Sequence, residues 1–450
     1  MSLYDKASLA LIPSGYKAGT TDNLYSVLPA NGDGDFNATR GTSATRVNKD
    51  GLIESVVANT PRLDYPLIDG VVQSCPALLL EPSRANKLPY SLDYDNNTYY
   101  QKSNSTATSE SGISPDGANT AYELKDTDDT GNTSHYIQQA SGYRAVIDYD
   151  AIKTASVFVK AGTKKQVQVR LTNGAGSFSY IMGNFDLETE TILTGASANA
   201  SDISYDLQNY GNGWYRCIVS GSWDLSNVTQ SIIQVFTADL SLAALPNMHN
   251  YQGDGTGTLF IWGQMIEEGS YPTSYIPTSG SAVTRNADEC NSAGTSAEFN
   301  DSEGVLFAEI AALDNDLTHR RISISDGTTG NLVYVSFDTT SNRILANANG
   351  RIMIYVTEDE TQFQKVAVYY NATAPKLYVN GFLRETETAM TAITGLSELA
   401  FDNAVGGNNF YGKAKQLMTF NEALTDSELE QITSWRSFGE MAKGQLYTIE

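Results

Sequence analysis

The chain has 450 residues, with 52 acidic against 29 basic side chains and a formal net charge of −23. So large an acidic excess argues against nucleic acid and against an anionic membrane surface as partners, because both are held by clustered Lys and Arg. Apolar residues make up 41% and charged residues only 18%, enough for ordinary cores in about three domains beneath a surface rich in Ser, Thr, Asn, Gly and Tyr.

The opening Met1-Ser2-Leu3-Tyr4-Asp5-Lys6 lacks the basic and apolar stretches of a secretory leader. No run approaches the roughly 18 apolar residues of a membrane span. Synthesis and use without Sec-type export is therefore expected. Residues 1–85 read as strand-poor and proline-punctuated, yet they hold two apolar clusters, Leu9-Ala10-Leu11-Ile12 and Ala77-Leu78-Leu79-Leu80. A unit of that size is marginal as a core of its own, so the clusters are expected to pack on other copies of the chain or on the chain's own strand-rich unit that follows. Asp33, Asp35 and Asn37 alternate like the oxygen ligands of a Ca²⁺ loop. No bidentate Glu follows at the EF-hand position and Arg40 sits nearby, so an Asx-rich turn is expected and no metal is assigned.

Residues 86–285 form a first strand-rich unit. Period-two alternation at 155–160, 166–171, 215–220 and 231–236 predicts half-buried strands. Turn clusters such as Thr172-Asn173-Gly174, Asn212-Gly213 and Gly253-Asp254-Gly255 separate them. In Gly213-Trp214-Tyr215-Arg216 a turn glycine delivers large aromatics to the start of a strand. Trp214, Tyr215 and Trp262 are the candidate ligand-binding residues, weighed against the ordinary role of a sandwich aromatic, which is core. Residues 286–303 read as a polar linker. A second strand-rich unit, 304–450, contains an Asn380-Gly381 hairpin turn and the box Thr425-Asp426-Ser427-Glu428, which predicts a capped helix over about 425–438. The fold class expected is mainly β: tandem sandwiches after an irregular N-terminal segment.

Chemistry is hard to find. A glycosidase needs two carboxylates flanking a cleft, but no Glu-x-Asp-x-x-Glu strand occurs, and neither do GxSxG, HExxH or P-loop motifs. Cys75, Cys217 and Cys290 are odd in number and far apart, which gives no disulfide framework or zinc site and leaves buried free thiols as the expectation. His135, His249 and His319 are too scattered for a triad. No catalytic residue, cofactor or metal is assigned.

Several motifs in order carry a resemblance. Residues 81–91, 114–121, 154–162, 212–217 and 259–269 together resemble the jelly-roll carbohydrate-binding-like domains of phage structural proteins. Tyr378-Val379-Asn380-Gly381, the strand 410–420 and the capped helix resemble laminin-G-like (concanavalin-A-like) modules. Residues 33–54, Pro61-Arg62-Leu63-Asp64-Tyr65, 75–82, 269–278 and Thr284-Arg285-Asn286-Ala287-Asp288 resemble phage head-fibre and tail-fibre-like proteins. The resemblance implies a virion protein assembled in the host cytoplasm. Residues 1–85 would hold capsid or tail proteins of the particle or trimerise, and the sandwiches would face outward to touch glycans without cleaving them. A virion-associated depolymerase and a purely structural component are the alternatives.

Overall fold

The computed structural model describes residues 3–13, 23–174, 179–225, 229–238 and 248–435. The architecture is two antiparallel β-sandwiches in tandem, which is the fold class expected. The first pairs a seven-stranded sheet with a six-stranded one. The former runs Tyr100–Ser103, Tyr136–Gln139, Gln230–Ala238, Gln166–Thr172, Tyr180–Asp186 and Thr191–Ala198, with Ala145–Val146 attached to Gln230–Ala238. The latter runs Ser105–Gly112, Ala121–Asp126, Thr258–Glu268, Lys153–Ala161, Trp214–Trp223 and Ala200–Asn209. Their facing apolar rows form one core, including Val157, Val159, Val169, Leu171, Val219, Ile233 and Ile261.

The alternation at 215–220 predicts one wet face. The structure buries every residue of Trp214–Trp223, because the outer face of the six-stranded sheet is covered as well. Ile53, from the N-terminal region, and Tyr275 and Ile276 close over Phe158, Trp214, Trp262 and Met265. The polar positions of the strand are then buried but bonded: Arg216 donates to Thr273 O (2.8 Å) and to Ser156 Oγ (3.0 Å).

The second sandwich packs an eight-stranded sheet on a five-stranded one. The small sheet runs Arg351–Val356, Arg343–Ala348, Leu332–Phe337, Arg320–Ser325 and Glu398–Ala400. The large sheet has Glu303–Ala312 beside Gly412–Phe420 near its middle. It ends on one side at the hairpin Lys376–Val379/Phe382–Thr386. There Asn380 and Gly381 both take positive φ (53° and 86°), as a two-residue hairpin requires. The capping box is present: Thr425 N donates to Glu428 Oε2 (2.9 Å) and opens the helix Asp426–Thr433. The helix is shorter than the sequence suggests, and positions 436–438 lie outside the described residues.

Residues 1–85 correct the reading of a strand-poor segment. Their described residues include nine complete strands and the start of a tenth, Arg84–Asn86, and three of the nine join the second sandwich. Positions 412–414 pair with Ala77–Leu80, which in turn pairs with Arg62–Asp64. Positions 417–419 pair with Leu9–Leu11 along the same edge. Leu9, Leu11, Leu78 and Leu80 join the core of that sandwich, so the two apolar clusters are buried by neither copies of the chain nor the jelly roll. The segment 286–303 is likewise no free connector, since Glu289–Asn291 pairs with Phe36–Thr39. Among the described residues no helix is long and apolar enough to cross a membrane.

Candidate functional site

The motifs singled out at 33–54, 61–65, 75–82 and 284–288 converge on one point between the sandwiches. Arg62 is fully buried. Its Nη1 donates to Thr45 O (2.9 Å), Glu81 Oε2 (2.6 Å) and Ser274 Oγ (2.9 Å), and its Nη2 binds Asp288. Arg285 shares Glu81 and Ser274. Arg40 takes the other oxygen of Asp288 (2.9 Å) and donates to Val57 O (2.6 Å). Three guanidiniums thus enclose two carboxylates. Burial alone would raise the Glu81 carboxyl, but Arg285 and Arg62, with Ser274, hold it well below the usual carboxylate range. This hub ties residues 40–81 to the 285–288 stretch, and its five charged residues are buried.

Beside it lies a cleft of about 530 Å³, within the size range of small-molecule sites. Three parts of the chain build it. Residues 64–67 and Asp69 come from the N-terminal region. Glu190, residues 207–210 and Tyr215 come from the jelly roll. Residues 271–275, Leu313 and Lys413 supply the remaining wall. Five tyrosines line it: Tyr65 and Tyr210 are half-buried, and Tyr215, Tyr271 and Tyr275 are buried. Burial, together with Glu190 as acceptor, pushes the Tyr215 hydroxyl up to about 12. It donates to Glu190 Oε1 (2.9 Å), and Asn209 Nδ2 donates to Glu190 Oε2 (3.0 Å). Lys413 and Asp64 pair across the floor at 3.0 Å.

Two glycines close one rim. The turn of the Leu67–Ile68/Val71–Val72 hairpin places Gly70 against Gly211 of the jelly roll. A Cβ on Gly211 would lie 2.5 Å from Gly70 O, and both residues have φ near +73°, so backbone meets backbone where only glycine fits.

The residues chosen from sequence fare unevenly. Trp214 and Trp262 are each 2% exposed, with indole N–H groups donating to Ile113 O (3.0 Å) and Thr120 Oγ1 (3.1 Å). Both are buried as cover for the six-stranded sheet rather than set out as exposed stacking platforms, although Trp214 lines a second, smaller cavity. Tyr215 does line the cleft. Asp33 and Asp35 do not gather toward a cation: Asp35 Oδ1 accepts from Ser26 N (2.8 Å), Asp33 Oδ2 accepts from Asn31 Nδ2 (2.6 Å), and Asn37 sits on an exposed strand position. Among the described residues no group of three or more His, Cys, Asp or Glu could hold a metal. Cys217 and Cys290 are buried and Cys75 is exposed, against the expectation that all three are covered.

Sequence reading missed Tyr65, Tyr210, Tyr271, Glu190 and Asn209. The one local signal was the turn Asn209-Tyr210-Gly211-Asn212-Gly213. Elsewhere the outer face of the seven-stranded sheet also looks receptive, but its amides bond each other, as in Gln168 Nε2 to Asn184 Oδ1 (2.8 Å) and Gln234 Nε2 to Gln138 Oε1 (2.6 Å).

No family model matches the chain, and no curated protein matches it. Among solved structures the chain is similar to the CBM40 of Ruminococcus gnavus IT-sialidase, at 17% identity over 30% of this chain and 84% of that one, with a TM-score of 0.26. It is also similar to domains LG4-5 of the mouse laminin α1 chain, at 10% identity over 63% and 88%, with a TM-score of 0.22. A third match is Trypanosoma rangeli sialidase in complex with sialic acid, at 9% identity over 92% and 78%, with a TM-score of 0.27.

Proposed function

We propose that the chain is a glycan-binding adhesion protein and that the cleft between its sandwiches is the binding site. The observation that carries this is the lining. Five tyrosines offer apolar ring surface with polar tips, and Glu190, Asn209, Gln208 and Lys413 supply acceptors and donors around them. Sugars present just this mixture of apolar C–H faces and hydroxyls, and such a site gains from rigid aromatic walls with a few placed polar groups. The reading is binding without bond cleavage. Asp64 is paired to Lys413 and Glu81 is locked in the hub, and neither is disposed as a general acid. Release of sugar from a polysaccharide by the purified protein would overturn that part.

The place of work proposed is the surface of a phage particle, as a head or tail fibre attached to capsid or tail proteins and acting as a homotrimer. Its support is the sequence resemblance. The apolar clusters give no support to the trimer, since they are buried within the chain. Light scattering tests the trimer, and labelled electron microscopy of particles tests the location. For the site itself, full-length protein is applied to a glycan array, with Tyr65→Ala and Tyr210→Ala alongside. The expected result is binding that both substitutions weaken about tenfold or more. Binding that neither changes overturns the cleft as the site.

A further inference from the structure

A second cavity of about 320 Å³ adjoins the cleft, with Tyr210 lining both. The Tyr210 ring is pinned edge-on against Phe158, centroids 4.8 Å apart, so it stands as a fixed partition between the two. Around the second cavity lie residues 51–52, 113–115, 210–212, Trp214 and Lys160. Lys160 is the one charged residue of that lining.

Several donors of the wall are already bonded. Trp214 Nε1 is bonded to Ile113 O. The backbone N–H groups of Gly51, Leu52, Gly211 and Trp214 donate to Asn48 O, Asn48 Oδ1, Asn209 Oδ1 and Gly211 O. Ser114 Oγ donates within its own loop. The Lys160 ammonium stands apart from this pattern, for among the described residues it has no hydrogen-bond or ion-pair partner. Its stem lies over Gly213, where a Cβ would sit 3.4 Å from Lys160 Cε. The other cations of the cleft are engaged: Lys413 by Asp64, Arg46 by Glu54, and Arg216 by Thr273 O and Ser156 Oγ. In a chain of net charge −23, which repels anions broadly, one unpaired ammonium in a concave pocket free of acidic lining is a local exception, and a concave wall focuses its field.

We infer that this cavity receives an acidic group of the bound saccharide, with Lys160 as its counter-ion and Tyr210 separating it from the neighbouring sugar. The inference rests on the cleft being the glycan site. Carboxylate and sulfate would both satisfy the ammonium, so the test carries both. Full-length protein is titrated by calorimetry with a uronic-acid tetrasaccharide, with its methyl ester, which has the same backbone but no charge, and with a sulfated tetrasaccharide. Lys160→Gln and Lys160→Arg are measured in parallel, with thermal unfolding confirming that each is folded. The expected result is an acidic form bound about tenfold more tightly than the ester. That preference is lost in Lys160→Gln, kept in Lys160→Arg, and reduced by added salt. The ester's own affinity stays unchanged in Lys160→Gln. Equal affinity for charged and uncharged forms, or a preference that survives Lys160→Gln, overturns the inference. Binding confined to neutral glycans on the array overturns it too and leaves the cleft standing. A protein that binds no glycan on the array overturns both.

Discussion

The hub and the cleft sit side by side and use the same kinds of residue to opposite ends. In the hub, Arg40, Arg62 and Arg285 meet Glu81 and Asp288 with almost no contact with water. In the cleft, Glu190 is exposed and the adjoining Lys160 has no partner among the described residues. Each hub charge is matched by a neighbour contributed from elsewhere in the chain, so the hub specifies how the parts fit. A charge left without a protein partner in a concave wall is placed for something the chain does not contain. Buried ion pairs add little over an apolar substitute, but removing one partner is expensive. Breaking charges one at a time should therefore affect the two regions very differently.

The largest effect is expected in the hub. Arg62→Met leaves Glu81 and Asp288 buried without their shared partner and should cost about 3–5 kcal/mol, read as a fall in unfolding temperature and denaturant midpoint. The sign with pH follows from the depressed Glu81 carboxyl. Its stabilising share is complete above the unfolded value of 4.5 and is lost as pH falls below that toward its lower folded value. Stability should thus change little through Glu81 between pH 8 and pH 5 and drop in stronger acid. Glu81→Gln should flatten that acid limb.

Glu360, in the second sandwich, sharpens the contrast because it is buried with a poor match. Arg320 Nη1 is 3.8 Å away, and neither carboxyl oxygen has a hydrogen-bond partner among the described residues. Burial pushes its carboxyl up to about 7 against some relief from Arg320. A raised acid stabilises the fold below its unfolded pKa, and that contribution is lost as pH rises from 4.5 through about 7. Glu360→Gln should therefore stabilise at pH 8 by about 2 kcal/mol and have little effect at pH 4.5. Thermal melts at the two values decide it.

The smallest effect on stability is expected at the cleft rim. Gly211→Ala places a Cβ 2.5 Å from Gly70 O at a positive φ. It should cost about 1–2 kcal/mol and lower glycan affinity, because the Leu67–Ile68/Val71–Val72 hairpin must shift. Unchanged affinity would show that the rim takes no part in binding.

What was legible in the sequence was local. Asn380-Gly381 declares a hairpin through backbone permissiveness, Thr425 and Glu428 declare a helix start through reciprocal bonds, and alternation at 155–160 and 166–171 declares strands. What was illegible was coverage. Nothing around Trp214 or Trp262 says that Ile53 and Tyr275 will close over them. Arg40, Arg62, Glu81, Arg285 and Asp288 read as separate loop charges, because a buried ion network is a property of distant pairs. The cleft tyrosines were hidden for the same reason: Tyr65, Tyr210 and Tyr271 are three of 26 in the chain and share a surface only after folding.

The pairing of Leu9–Leu11 with positions 417–419 has a consequence for how the molecule comes into being. Ser8 and Thr419, bonded at 3.1 Å, are 411 positions apart. A ribosome makes the first of these strands long before the last, so the edge it must occupy does not yet exist while the jelly roll is being synthesised and can already fold. Leu9, Ala10 and Leu11 must wait exposed while about 400 further residues are made, and joining segments so far apart is a slow step. The large sheet of the second sandwich can be completed only when both the 9–11 and the 412–420 strands are present. A shortened chain lacking either strand should therefore misassemble during production rather than yield a smaller working module.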